Sequence, residues 1–340
     1  MRAAYIESAQ TISVRETSAP EPGADQVRVR VDYVGICGSD LHYYHEGANG
    51  AFVVREPLIP GHEVSGRVDR DPSGTLSAGT PVTVHPATFG TPDPRIPDDP
   101  HLWGGGSYLG SASTWPHTQG GLAEYIIVDR RMIRPLPAEL PIRRAALAEP
   151  LAVALHGLGK AGDVSGRSVL VTGSGPIGLL SIAAAVAAGA AHVHATDVLP
   201  GPLRRARLLG ADDVFDVTSD EVPDGGYDVV LECSGVAASV STALRAARVG
   251  GTVVQVGMVP NEPRPINIAP FIAKEIRWYG TFRFRDEIDR AVELLAAAPH
   301  IEDVVTHVFD ADDLDDAFAT ARDSEVSGKV LVAVWPDASR

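Results

Sequence analysis

The stretch "SVLVTGSGPIG", residues 168–178, decides the fold. A short β-prone run breaks into a turn that places Gly173, Gly175 and Gly178 in the spacing G-x-G-x-x-G, and Pro176 then opens a helix. The first glycine permits a tight turn, the second lets the backbone approach a pyrophosphate, and the third lets helix pack on strand. The helix start offers free N–H groups and a partial positive charge to phosphates. Such glycine spacing alone is common. Here the next strand, "HVHAT", ends at Asp197, 19 residues past Gly178. A carboxylate there accepts hydrogen bonds from the adenosine ribose hydroxyls and repels a 2′-phosphate, which favours NAD over NADP. The alternative for Asp197 is a cap on the following helix. Arg204 and Arg205, on that helix, would soften the preference.

Working outward, "GPLRRARLLG", "YDVVLECSG", "VAASVSTALRAARV", "GTVVQVG" and "IRWYGT" alternate apolar strands with helical segments. This is a βαβ series, hence a doubly wound parallel sheet covered on both faces. Upstream, "PIRRAALAEPLAVALHGLGKAG" has helical spacing, and Pro150 predicts a kink or a boundary within it. Downstream, "RDEIDRAVELLAAAPH" predicts a helix and "KVLVAVW" a closing strand. The first third differs. "QVRVRVDYVG", "HEVSGRVDR", "TPVTVHP" and "LAEYIIVD" alternate with period two between Gly and Pro turns, which predicts an antiparallel β-rich domain. Between Pro86 and about Thr118 the chain is irregular and rich in Gly and Pro, a long loop of the kind that carries function or remains solvated.

At 340 residues two domains are expected. Hydrophobic residues at 44% and charged residues at 21% are globular values, which excludes wholesale disorder. A net charge of −15 excludes a general nucleic-acid or acidic-membrane binder. Two distant cysteines, Cys37 and Cys233, form no disulfide framework. With no signal-peptide core at the start and no stretch long enough to span a bilayer, a cytoplasmic protein is expected.

Cys37 lies in "VGICGSDLHYYHEG", residues 34–47, a polar mixture that makes poor core. "PLIPGHEVSG" supplies His62 and Glu63 at a strand edge, and "ALAEPLAV" supplies Glu149 at the domain junction. Thiolate, imidazole and carboxylate are the ligand types of a catalytic zinc with one open position. The alternative is a buried Cys, a core His and two surface carboxylates, and spacing alone does not choose between them.

Taken together, "GICGSDLHYY", "GHEVSG", "AEPLAVALH", "GSGPIG", "VQVGM" and "GTFRF" run in one order along nearly the whole chain. In this the sequence resembles the zinc-dependent medium-chain dehydrogenase/reductase family, in its polyol dehydrogenase branch. "GICGSDLHYYHEG", "GSASTWPHTQGG" and "GTFRF" incline it toward the sugar-acid members.

The resemblance implies a GroES-like catalytic domain over 1–148, completed by 286–340, and a Rossmann NAD-binding domain over 149–285. It implies that Cys37, His62 and Glu63 form the catalytic zinc shell, with Glu149 binding directly or through water and contacting substrate. Ser39 would pass the substrate proton outward to His42, Asp40 would support the metal and its histidine, and Tyr43 and Arg283 would contact substrate. Gly173, Gly175, Pro176, Ile177, Gly178 and Asp197 would hold the cofactor, with Val256, Gly257 and Met258 from "VQVGM". The implied reaction is hydride transfer from a secondary alcohol to NAD, on a sugar acid such as L-idonate oxidised at C5, or on sorbitol or xylitol. Arg55 and His117 are further candidates for a substrate carboxylate, with a solvent-facing loop as the alternative. A homo-oligomer, dimer or tetramer, is implied as well.

One departure stands out. The lobe that in many members binds a structural zinc on four cysteines is here "PATFGTPDPRIPDDPHLWGGGSYLG", with no cysteine. A second zinc of that kind is excluded, and His101 is expected in a solvated loop. Trp103 and Trp115 either line the cleft or pin this loop. Cys233, His85, His156 and His194 read as ordinary packing residues.

Overall fold

In the computed structural model, which describes residues 1–335, the Gly-turn strand sits at the centre of a six-stranded parallel sheet. Its order is Asp213–Asp216, His192–Asp197, Ser168–Thr172, Tyr227–Glu232, Ala247–Gln255 and Arg277–Gly280. The order reverses direction beside Ser168–Thr172, the switch point at which doubly wound sheets bind ligands. Val169, Leu170 and Val171 are completely buried, as a strand covered on both faces must be. The Pro176–Ala187 helix lays Leu179, Leu180 and Ile182 into the same core.

The second sheet is mostly antiparallel. It runs Ile133–Pro135, Pro81–Val84, Glu63–Arg70, Gln26–Gly35, Lys329–Ala333 and Val305–Asp310, and Tyr125–Asp129 also pairs with Gln26–Gly35. Alternate residues of Gln26–Gly35, among them Val27, Val29 and Val31, face its core. The last two strands come from the far end of the chain and pair parallel to each other. They bring Lys329 beside residues near position 36.

The segment read as one helix from 141 breaks at Ala146–Leu147 into Ile142–Ala145 and Ala148–Lys160. Pro150 lies in the first turn of the second helix, where its missing N–H breaks no helical bond, so it marks the boundary and not a kink.

The cysteine-free lobe carries the short helix Pro100–Leu102 and the hairpin Ala87–Thr88/Ser107–Tyr108. It corrects the expectation for His101. That side chain is buried, and its ring meets the His156 ring edge to face at 4.8 Å. His156 Nδ1 bonds Glu287 at 2.8 Å, and Arg285 donates to Asp98 O at 3.1 Å. Trp103 pins the lobe through Nε1–H to Ile96 O, whereas Trp115 is exposed. Gly-rich composition hides a docking residue of this kind.

This dock should be acid-sensitive. Burial opposes ionisation of Glu287, but the His156 bond and the Arg285 amide outweigh it and lower the carboxyl from 4.5 to about 2. The folded chain then binds fewer protons than the unfolded one, so this stabilisation is full above about 4.5 and vanishes as pH falls through about 2. His101 acts in the same direction, since burial and then His156 hold its imidazole down at about 4. Glu287→Gln is expected to cost about 2 kcal/mol at pH 7. In urea unfolding, the gap to wild type should close between pH 4.5 and 2, the interval of the shift.

Candidate active site

Strand Gln26–Gly35 delivers Cys37 to the N-cap of the Gly38–Glu46 helix. Asp40, buried in the first turn, holds two elements together. Its Oδ2 accepts Cys37 N–H at 2.9 Å and its Oδ1 accepts Gly61 N–H at 3.0 Å. The same Oδ1 lies 3.9 Å from His62 Nδ1. Gly61 takes φ +96°, a turn that glycine makes without strain, and the chain then enters strand Glu63–Arg70. Glu63 pairs in register with Gly35, where an added Cβ would lie 1.9 Å from Glu63 Oε2.

Cys37, His62 and Glu63 each offer a ligand atom, and these atoms lie within 4.8 Å of one another. His62 and Glu63 are buried, Cys37 half-buried. Glu149 stands just outside this group, in the first turn of Ala148–Lys160, where its Oε1 accepts the Tyr108 hydroxyl proton. Burial raises the Glu149 carboxyl, with His62 opposing. Burial would lower His62, but Asp40 and Cys37 prevail and raise it to about 10. Asp40, Cys37 and Glu149 around the imidazole make this a pocket that favours positive charge. With a thiol, a nitrogen and a buried, unpartnered Glu63 Oε2, the donor set fits a divalent ion such as zinc.

Three side chains join the site without having been legible in the sequence. Lys329, fully buried, donates to Glu63 Oε1 at 2.6 Å and to Ile36 O at 3.0 Å. Burial would lower its ammonium, yet Glu63 and Cys37 raise it, so it remains charged. Tyr108 stacks edge-on to His62 at 5.4 Å and under the Arg283 guanidinium at 4.1 Å. Glu232 organises the cofactor side, accepting from Ser234 N–H and Gly235 N–H at 3.0 Å each and from the Ser239 hydroxyl at 2.9 Å. A lysine that opens an apolar strand and a glutamate that ends one are the faint signals for the first and third.

Arg283, at φ +51°, has no hydrogen bond or ion pair among the described residues. It lines a cavity of about 360 Å³ with Phe52, His101, Trp103, Thr114 and Phe282. Ser39 lies partly exposed two residues past Cys37, and His42 is exposed with Nδ1 on Glu46 at 3.0 Å. Tyr43, read as a substrate contact, already has protein partners for its hydroxyl. It is buried, with its oxygen on Ala112 N–H at 3.1 Å and Ser111 Oγ at 3.3 Å, because a buried phenol needs partners. His117 uses both ring nitrogens on backbone, and Arg55 is exposed.

On the cofactor side, Gly175 caps the Pro176–Ala187 helix, Ile177 follows in its first turn, and a Cβ at Gly178 would lie 1.9 Å from Gly173 O. Asp197 is engaged with backbone. Its Oδ2 accepts Ser174 N–H at 2.8 Å, and its Oδ1 accepts Val198 N–H at 2.8 Å and Leu199 N–H at 3.1 Å. It therefore braces the Gly turn and the Val198–Leu199 turn that leads to the next helix, without capping that helix. Arg205 donates to Ser324 O and Glu325 O and is engaged with backbone, whereas Arg204 is exposed and reaches Glu325 at 3.3 Å. Val256 and Gly257 donate to Glu232 O at 2.8 Å each, which places them at the same sheet edge, and Met258 is exposed. Cys233 is half-buried, and desolvation pushes its thiol up to about 12. His85 and His194 are held by Arg285 O and the Tyr227 hydroxyl.

Known proteins share this architecture. The Alcohol dehydrogenase GroES-like domain matches residues 23–138, and the Zinc-binding dehydrogenase family matches residues 176–297. L-idonate 5-dehydrogenase (NAD(P)(+)) of Escherichia coli strain K12 is 37% identical over 274 residues, 79% of this chain and 80% of that one. The crystal structure of the E. coli L-idonate 5-dehydrogenase superposes with a TM-score of 0.92 at 32% identity, covering 98% of this chain and 97% of that one. Sorbitol dehydrogenase of Gallus gallus is 33% identical, covering 95% of this chain and 94% of its own. A Sinorhizobium meliloti 1021 chain bound to NADP superposes with a TM-score of 0.88 at 31% identity, covering 98% of each chain. No helix among the described residues is long and apolar enough to cross a membrane. With a GroES-like domain, a Rossmann-type parallel sheet and these relatives, the chain belongs to the zinc-binding medium-chain dehydrogenases, in their alcohol and polyol dehydrogenase branch.

Proposed function

We propose that this protein oxidises a secondary alcohol of a sugar acid, with NAD as hydride acceptor, and that L-idonate, oxidised to 5-ketogluconate, is its substrate. The observation that carries the reading is the convergence of Cys37, His62 and Glu63 beside Glu149, with Arg283 free of any ion-pair partner among the described residues. Cys37, His62 and Glu63 would hold zinc, with Glu149 direct or through water. Zinc supplies Lewis-acid polarisation of the substrate hydroxyl there. The other roles belong to the chain. Asp40 fixes the Cys37 and Gly61 turns, so that two donors are oriented before any ligand arrives. Ser39 Oγ takes the hydroxyl proton and passes it toward His42, whose Nε2 exchanges it with water while Nδ1 rests on Glu46. The Gly173–Gly178 turn and the Pro176–Ala187 helix start receive the pyrophosphate. Arg283 receives the substrate carboxylate.

A neutral polyol such as sorbitol is the second reading, favoured by the sorbitol dehydrogenase relatives. NADH formation with L-idonate, sorbitol and xylitol, each with NAD and NADP, separates the two readings and tests the cofactor. No turnover of any polyol or sugar acid would remove both. Arg283→Asn sharpens the choice, because asparagine tolerates positive φ but is too short to replace the guanidinium. KM for L-idonate is expected to rise roughly 10- to 100-fold, the worth of one charge-assisted hydrogen bond, with a smaller change for sorbitol. Equal effects on both substrates would exclude carboxylate recognition by Arg283.

A further inference from the structure

Lys329 puts an ammonium group where burial is costly, at the start of an apolar strand, and it pairs across 266 residues of chain with Glu63. That carboxylate is gripped from two sides. Oε1 accepts the Lys329 proton, and Oε2 occupies the space over Gly35 with no hydrogen-bond partner among the described residues. The grip leaves at most one oxygen for a metal, and the ammonium draws charge away from it. An ammonium so near also repels a divalent ion.

A catalytic metal needs a position open to substrate. A carboxylate released from its lysine would turn both oxygens to the ion and fill that position. We propose that Lys329 is a positioning residue that restrains Glu63, trading metal affinity for an open coordination position. The inference rests on the metal reading above.

The competing view of Lys329 is a plain internal ion pair. Losing such a pair loosens the site, so metal would leave faster and turnover would fall. Restraint predicts opposite signs for the two readouts. Lys329→Met, in the intact protein, is expected to keep about one zinc per chain. It should release that zinc to excess EDTA on the order of 10-fold more slowly than wild type, while kcat falls. Lys329→Gln, which keeps a hydrogen bond without the charge, should show the same slower release to a smaller degree. In a Glu63→Gln background there is no carboxylate to free, so adding Lys329→Met should leave zinc release unchanged. That double variant replaces a buried ion pair with neutral groups, a change folds tolerate. Faster zinc release from Lys329→Met, or an equal slowing in the Glu63→Gln background, would overturn the proposal and leave the metal reading standing. Wild-type protein that binds no zinc would overturn both.

Discussion

Cys37→Ser is expected to abolish dehydrogenase activity while leaving the protein folded. Position 37 is an N-cap, and serine caps helices well, so the Gly38–Glu46 helix keeps its start. The Cys37 N–H bond to Asp40 is made by the backbone and survives. What goes is the thiolate, the softest donor of the set. A neutral hydroxyl does not replace it, and His62 and Glu63 alone hold zinc poorly. The Lewis-acid contribution of several kcal/mol then disappears, a loss of about 10³-fold in kcat at constant nucleotide affinity. Metal analysis should find the variant depleted of zinc, and its thermal unfolding should stay close to that of metal-free wild type. An active, zinc-free Cys37→Ser protein would show that the chemistry is organised elsewhere.

Gly173→Ala should fail on the other side of the cleft. Gly173 takes φ +86°, a region costly to alanine, and a Cβ there would lie 2.7 Å from Ser234 Cβ and 2.8 Å from Ser234 N. Ser234 cannot retreat cheaply, because its N–H is held by Glu232 at 3.0 Å. The Gly turn must shift instead, and with it the amides intended for pyrophosphate. A displacement of that size costs on the order of 10²-fold in productive nucleotide use. Strain should lower stability by about 1–3 kcal/mol. Zinc content should be unchanged, which distinguishes this variant from Cys37→Ser. Calorimetric titration with NAD measures the first effect, and urea unfolding the second.

The parts of the molecule that were legible in sequence are those whose cause is local. A glycine spacing specifies its turn wherever it occurs, and the period-two and helical patterns of the two sheets follow from which face each residue must bury. The ligand types at 37, 62 and 63 were legible as chemistry, and their meeting came from resemblance. What stayed hidden was set by tertiary neighbours. Lys329 finds Glu63 only because a strand from the far end of the chain enters the antiparallel sheet. Tyr108 reaches Glu149 from a lobe whose Gly- and Pro-rich composition has no periodicity to read. His101 lies in that lobe too, and nothing adjacent to it announces His156. The Asp197 carboxylate was read for the ribose because its place in the motif is known, whereas its bond to Ser174 depends on how the turn folds back.

The docking of the cysteine-free lobe by imidazole, guanidinium and indole groups has a consequence for sulfur chemistry. Both thiols are half-buried, but the Cys233 thiol, pushed up to about 12, is a poor nucleophile at neutral pH, and Cys37 is the one whose modification would remove a donor of the metal site. Oxidation of Cys37 to the sulfenic acid would silence this protein at a single atom and leave its scaffold standing, a loss that a reductant and fresh metal reverse only before the sulfinic stage is reached.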